Sequence, residues 1–335
     1  MRTSCLPLPG LGLPLNITLV RINCEANQQG LPASTMSDSQ NSALFTDRQP
    51  TRKLCDMSYC YGRWYGKKDK YRLPIDEEET DRLDIFHKFF RVARHGRLFS
   101  ASLDMTEPLQ VLDLGTGTGI WATQLADEYP HISVQGLDLH MIQSRMIPSN
   151  MKPPKLFDLE DSWDTIGLGW DFIHARTLFG SIESWPDMYQ KMITHLKPGG
   201  YIEHIEIDWD PQCDDSSLPP NSSLSQWAKK LLDAMDRYGR PMKVDSKETQ
   251  RQLGVAGFTN ISETVIKAYC NDWPEDSHDK EVGNWFNFGF SIGLAALSYA
   301  AMVETLRMSK EEVESLCNEV KSEICTRSYH AYCTM

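Results

Sequence analysis

Residues 111–140 read VLDLGTGTGIWATQLADEYPHISVQGLDLH. Two acids, Asp113 and Asp138, close apolar runs, and glycines at 115, 117 and 119 lie between them. Glycines at alternate positions let a backbone turn sharply from strand to helix while approaching a ligand closely. A second set of chemistry-bearing residues, His174, Arg176, Glu203, His204, Glu206 and Asp208, falls at the ends of two later apolar runs. In an open α/β sheet, strand ends form the crevice in which ligands bind. Side chains alternate along a strand, so Glu203 faces away from His204 and Glu206 and the three cannot serve one site. His204 and Glu206 are the candidate proton acceptors; exposed polar positions at a strand end would look the same.

Three ligands suit a glycine-rich strand-to-helix turn. A nucleoside triphosphate needs Lys-Ser or Lys-Thr after the glycines, whereas Ile120 and Trp121 follow here. A dinucleotide suits Gly117, Gly119 and Ala122, which satisfy G-x-G-x-x-A, with Asp138 where a ribose diol would sit. Asp113 argues against it. A carboxylate two residues before the first glycine would repel a pyrophosphate and attract a ligand carrying an ammonium and a sulfonium. S-adenosylmethionine is such a ligand and keeps the ribose. The bland reading of both acids is helix capping or a solvated turn.

The elements that must position these residues follow from periodicity. From Asp76, DEEETDRLDIFHKFFRVARHG has capping-box spacing at Asp76 and Glu79, acids in its first turn, and Leu83, Phe86, Phe90 and Ala93 at helical intervals. Beyond it the spacing predicts strand 110–114, helix 119–128, strand 133–138, a short strand near 155–157, strand 171–175, helix 186–196 and strand 200–207. Repeated βα units imply a parallel sheet covered on both faces. LKPGG, 196–200, punctuates the last helix and strand. Helices are expected at 222–238, 278–305 and 309–325, with a strand near 260–269. The apolar WFNFGFSIGLAALSYAAMVETL is expected to pack over the sheet or substrate cavity, and no segment is expected to reach bilayer-spanning length.

Composition excludes some functions. The 335 residues carry a formal charge of −12 with no long Lys/Arg run, so the field repels phosphate backbones and direct nucleic-acid binding is not expected. Nine cysteines, at 5, 24, 55, 60, 213, 270, 317, 325 and 333, contain no C-x-x-C pair to nucleate zinc; no metal site is expected, and the thiols read as those of a reduced, intracellular protein. LPLPGLGLPLNITLV, 6–20, is apolar enough for a secretory signal, but Pro7, Pro9 and Pro14 interrupt it and no clean cleavage site follows. Residues 1–58 read as a disordered leader.

DLGTGTG, LDLH, FDLED, DFIHAR and LKPGG together resemble the class I S-adenosylmethionine-dependent methyltransferases. YGRWYGKKDKYRLPIDEEETDRLDIFHKFF, GSIESWPDMYQKMITHLKPGGYIEHIEIDWDPQCDDSSL and RSYHAY extend the resemblance to the fungal LaeA-like methyltransferases over about residues 59–332. The resemblance implies an α/β, Rossmann-like fold with a mostly parallel seven-stranded sheet and helices on both faces. It divides 59–335 into an N-terminal helical cover (59–105), a cofactor-binding core (106–210) and a C-terminal part with a helical substrate cap (211–335). It implies that Asp113, Gly115, Thr116, Gly117 and Gly119 line the methionine moiety of S-adenosylmethionine, Asp138 holds the ribose, and Asp158 and Leu159 bracket the adenine. His174 would border the sulfonium, with a possible catalytic part, and Tyr65 would close over the cofactor.

For function the resemblance implies an S-adenosylmethionine-dependent methyltransferase that regulates fungal secondary metabolism and development, in the nucleus, with a velvet-type protein partner. A tailoring enzyme acting on a small natural product, in a cytoplasmic pool, is the alternative; a non-catalytic cofactor-binding scaffold is another. Small-molecule and protein methyl acceptors both remain open. Five basic residues across 63–72 would suit nuclear import or a loop beside the cofactor. Relatives continue past HAY with a full last strand lying between the fifth and sixth, so a chain ending at CTM is expected to leave main-chain groups there short of partners.

Overall fold

The computed structural model describes residues 20–23 and 57–335. In chain order its elements are β1 (Val20–Asn23), β2 (Ser58–Cys60), β3 (Arg63–Tyr65), α1 (Glu77–Ala93), β4 (Gln110–Leu114), α2 (Ile120–Glu128), β5 (Ser133–Asp138), β6 (Met151–Leu156) and β7 (Trp170–Arg176). There follow α3 (Trp185–His195), β8 (Leu196–Ile205), β9 (Asp208–Gln212), α4 (Ser223–Arg237), α5 (Ser246–Ala256), β10 (Thr259–Ser262), β11 (Lys267–Tyr269), α6 (Ser277–Tyr299), a π-helical turn (Ala300–Thr305), α7 (Lys310–Ile324) and β12 (Tyr332–Thr334).

The main sheet has seven strands in the order β10-β1-β8-β7-β4-β5-β6. Its centre, β8-β7-β4-β5-β6, is parallel throughout. The order reverses beside β4, so the loop after β4 opens at the switch point where α/β sheets bind ligands. Strand alternation sorts the core. Val111, Val134 and Phe172 meet Trp121, Leu125 and Leu98 on one face, and Leu112, Leu114 and Ile173 meet Met188, Tyr189 and Met192 of α3 on the other.

A separate apolar cluster joins α1, α4, α6 and α7 into a cap. Close approach within it depends on glycine. A Cβ at Gly283 would lie 2.3 Å from the Asn271 carbonyl oxygen, and one at Gly289 would lie 3.0 Å from the Phe86 ring. Together α6 and the π-helical turn run 29 residues, Ser277–Thr305, long and apolar enough to cross a membrane by length and composition alone. That corrects the expectation that no segment reaches such a length. Phe286, Phe290, Leu294 and Leu297 nevertheless turn inward to the cap.

Further differences have physical causes. The hairpin β2–β3, the strand β9 and the helix α5 were not expected; each is short, and α5 buries only Leu253 fully, so its apolar periodicity is weak. The single strand expected near 260–269 is two, β10 and β11, in different sheets. Main-chain groups between β8 and β10 are not short of partners: β1 fills that slot, antiparallel to both neighbours. The C-terminal β12 instead pairs with β9 and β11. Thus the stretch read as a disordered leader contains a strand at Val20–Asn23; its remaining residues up to 56, with the possible signal segment, lie outside the described residues.

Candidate functional site

Between β4 and α2 the chain turns through Gly115, Gly117 and Gly119, with φ of 62°, 59° and 81°. All three lie in the left-handed region that side chains disfavour. At Gly115 space forbids a side chain as well, since a Cβ would lie 2.4 Å from Leu178 Cδ2. Thr116 is fixed from both sides: its N–H donates to the Leu137 carbonyl at 2.9 Å and its hydroxyl to Asp113 Oδ2 at 2.6 Å. The other Asp113 oxygen accepts from His174 Nδ1 at 2.7 Å. Burial holds the His174 imidazole below its ordinary pKa against the pull of Asp113, and its ring stacks on Trp121 at 3.7 Å. Asp113, Thr116 and His174 therefore form a buried brace beneath the loop.

Above the brace lies an open cleft. Gly115, Gly117, Asp138, Asp158, Leu159 and Tyr71 are among the residues that line it. Asp138 accepts from the N–H groups of Gly117 and His140, both at 2.8 Å. Burial nevertheless raises its carboxyl to about 6. Gly119 caps α2 without lining the cleft, and Tyr65 is fully buried behind it, its hydroxyl unpartnered among the described residues. Tyr71, not Tyr65, lines the cleft.

S-adenosylmethionine is tested against this cleft by the donor set. The positive-φ turn brings backbone close, the Asp138 carboxylate can accept ribose hydroxyls, and Leu139, Ile142, Phe157 and Leu159 offer apolar surface for a purine. The residues fit the cofactor.

A second cavity shares Tyr71, Leu83, Thr177 and Ser181 with the first. Phe86, Trp209, Met235 and Leu297 wall it, and Glu206 enters it from the end of β8. Glu206 Oε1 accepts from the N–H groups of Leu178 and Phe179 at 2.7 and 3.0 Å and from His204 Nε2 at 2.9 Å. The Tyr189 hydroxyl lies 3.1 Å from His204 Nδ1, so both ring nitrogens of His204 have a polar neighbour. His204 also stacks on Trp185, with ring centroids 4.3 Å apart. On the opposite face Glu203 pairs with Arg94 at 2.8 Å, in keeping with alternation along β8.

Glu79 and Lys191 gave no sequence signal as site residues, whereas Arg176 stood among the strand-end candidates. Glu79, expected only as part of a cap, lines the cleft and makes a bidentate pair with Arg82 at 2.9 and 2.6 Å. Arg176 lines the cleft with its guanidinium 4.6 Å from the Phe90 ring, and burial lowers it to about 10. Lys191 donates to the carbonyls of Leu159, Glu160 and Asp161 at 3.0, 2.7 and 2.9 Å and so fixes the loop bearing Asp158. Four of the five basic residues of 63–72 are paired: Arg63 with Asp76, Lys68 and Arg72 with Glu304, and Lys70 with Glu160 and Asp158. They fasten the segment 66–75 over both cavities. Glu304 belongs to the π-helical turn, a departure from α geometry that often accompanies a functional site.

A family model described as a methyltransferase domain matches residues 85–263. The chain is 45% identical over 290 residues to the secondary metabolism regulator LAE1 of Hypocrea atroviridis, covering 85% of this chain and 83% of that protein. It is 46% identical over 277 residues to LAE1 of Cochliobolus heterostrophus, covering 81% and 90%. To the secondary metabolism regulator laeA of Aspergillus fumigatus it is 37% identical over 308 residues, covering 90% and 79%.

Proposed function

The chain belongs to the family of LaeA/LAE1 secondary metabolism regulators, which carry a methyltransferase domain, and we propose that it regulates secondary metabolism by transferring a methyl group from S-adenosylmethionine. The observation that carries this reading is the pair of cavities sharing Tyr71, Leu83, Thr177 and Ser181, one lined by the glycine loop and Asp138, the other entered by Glu206. Transfer from a sulfonium is an in-line displacement, and orientation alone contributes up to roughly 7–11 kcal/mol in favourable cases. When bound, the cofactor supplies the electrophilic methyl. The chain supplies the geometry: Gly115 and Gly117 hold the methionine end by backbone, Asp138 accepts from the ribose, and Asp158 and Leu159 bracket the adenine. Glu206 takes the acceptor's proton, His204 orients Glu206, and His174 acts through Asp113 to stiffen the loop.

Calorimetric titration with S-adenosylmethionine and with NAD⁺ tests the assignment. Saturable binding of the former alone, weakened in Asp138→Ala and Asp113→Ala, is the expected result; NAD⁺ binding to the same cleft would overturn it.

The family resemblance also supports a nuclear site of action and a velvet-type partner. Nuclear accumulation of the tagged chain, with a velvet protein co-purifying at fixed stoichiometry, is expected; an exclusively cytoplasmic, monomeric pool would favour the tailoring-enzyme alternative. The basic run at 63–72 lends nuclear import little support, because its side chains are engaged in fastening the cover.

A further inference from the structure

Three charged side chains reach the second cavity: Arg72, Arg82 and Glu206. Arg72 pairs with Glu304, which it shares with Lys68, and Arg82 pairs with Glu79. Glu206 pairs with His204 at 2.9 Å and with no Lys or Arg. All three donors reach Glu206 Oε1, and Oε2 has no donor among the described residues. The cavity therefore presents a carboxylate that no Lys or Arg pairs, with one oxygen free of donors, among the aromatic side chains of Phe86, Phe179, Trp209 and Tyr71. Carboxylate charge and aromatic faces both attract a cation.

Access limits the size of the occupant. The segment 66–73 is tied down by Tyr238, whose hydroxyl donates to the Lys68 carbonyl at 2.8 Å, by Arg240, which donates to the Asp69 carbonyl at 3.3 Å, and by Lys68 and Arg72 at Glu304. A polypeptide would have to thread beneath a strap fixed at several points. A small molecule needs only to enter beside it.

Resting on the methyltransferase reading, we propose that the second cavity holds the methyl acceptor and that the acceptor is a small, ring-bearing or otherwise apolar amine, its nitrogen set between Glu206 and the shared wall at Tyr71. The ammonium form is recognised by Glu206 and the aromatic side chains. It gives one proton to Glu206, and the freed nitrogen lone pair forms the bond to the methyl carbon. The carbon–sulfur bond breaks with its electron pair going to sulfur, which becomes a neutral thioether. The product is the protonated N-methyl amine, so charge and atoms balance.

The test uses the full chain saturated with S-adenosylhomocysteine and two probes of like shape, phenethylamine and 3-phenylpropionate. Saturable binding of the amine and not of the acid is expected. In Glu206→Gln the amine should bind roughly tenfold more weakly or worse, as for a lost charge-assisted hydrogen bond. Met242→Trp should abolish amine binding by filling the cavity while S-adenosylhomocysteine still binds. Equal binding of acid and amine, indifference to Glu206→Gln, or no amine binding by a chain that takes S-adenosylhomocysteine normally would overturn the proposal alone. Failure of a folded chain to bind S-adenosylhomocysteine would overturn the methyltransferase reading and this proposal together.

Discussion

Asp138 is the residue at which sequence, geometry and electrostatics can be compared most directly. Its position at the end of an apolar run and one helix after the glycines was legible, because strand-end acids after a glycine turn have few other uses. Its electrostatic state was not, because burial is a property of the assembled site. With the folded pKa raised from 3.8 to about 6, the folded chain holds an extra proton between those values. Ionising Asp138 therefore costs stability as pH rises through that window, and the contribution favouring the folded state is largest below it. Ribose hydroxyls donate to the ionised form, so ligand binding runs the other way. S-adenosylmethionine affinity is expected to fall as pH drops through about 6, and Asp138→Asn is expected to bind weakly with that pH dependence removed. Calorimetry from pH 5 to 8 checks both; an unchanged pH profile in the variant would assign the effect to another group. Partners far apart in sequence were invisible at this scale. Glu160 is the clearest case: burial would raise its carboxyl, but hydrogen bonds from Arg240 and Lys70 bring it down to about 2, and Arg240 lies 80 positions away.

At the scale of elements, the parallel strands and amphipathic helices were readable because apolar periodicity records burial. The cover over the cavities was not. The segment 66–75 has no periodicity, and its fixed position comes from ion pairs with Glu304 and Glu160, which no local pattern announces. Glu304→Gln is expected to leave two cations of that segment without a counter-charge and to release S-adenosylmethionine several-fold faster, with the fold retained; stopped-flow displacement reads the rate, and an unchanged rate would assign closure elsewhere. The glycines of α6 make a different prediction. Because a Cβ at Gly283 would meet a backbone carbonyl at 2.3 Å, Gly283→Ala must move a helix or a loop. A loss of about 1–3 kcal/mol in urea unfolding is expected, the usual cost of overpacking. Gly254, with nothing within 4 Å of its added Cβ, is the control, and there alanine should stabilise its helix slightly.

At the scale of the whole molecule, the main sheet is completed by a strand from well before the methyltransferase core. β1 pairs with β8 from Val20 opposite His204 to Asn23 opposite Tyr201, and with β10 at Arg21 and Asn23. The sequence contained no period long enough to announce four residues as a strand, and a disordered leader was the natural reading. The consequence reaches the second cavity, since β1 runs alongside the stretch of β8 that carries Glu203 and His204, and His204 orients Glu206. A chain beginning at Met57 would leave two strand edges without partners inside the sheet, which invites both fraying and association. It is expected to melt at lower temperature and to aggregate more readily. If β1 acts only as a structural edge, S-adenosylmethionine binding and acceptor binding should weaken together. If it holds β8 in register for Glu206, S-adenosylmethionine affinity should be largely kept, because the glycine loop and Asp138 lie on β4 and β5, beyond β7. Binding of the amine probe should then be lost. Parallel titrations of the shortened chain with the two ligands, below its melting temperature, separate these outcomes, and the pairing of His204 with Val20 predicts the second.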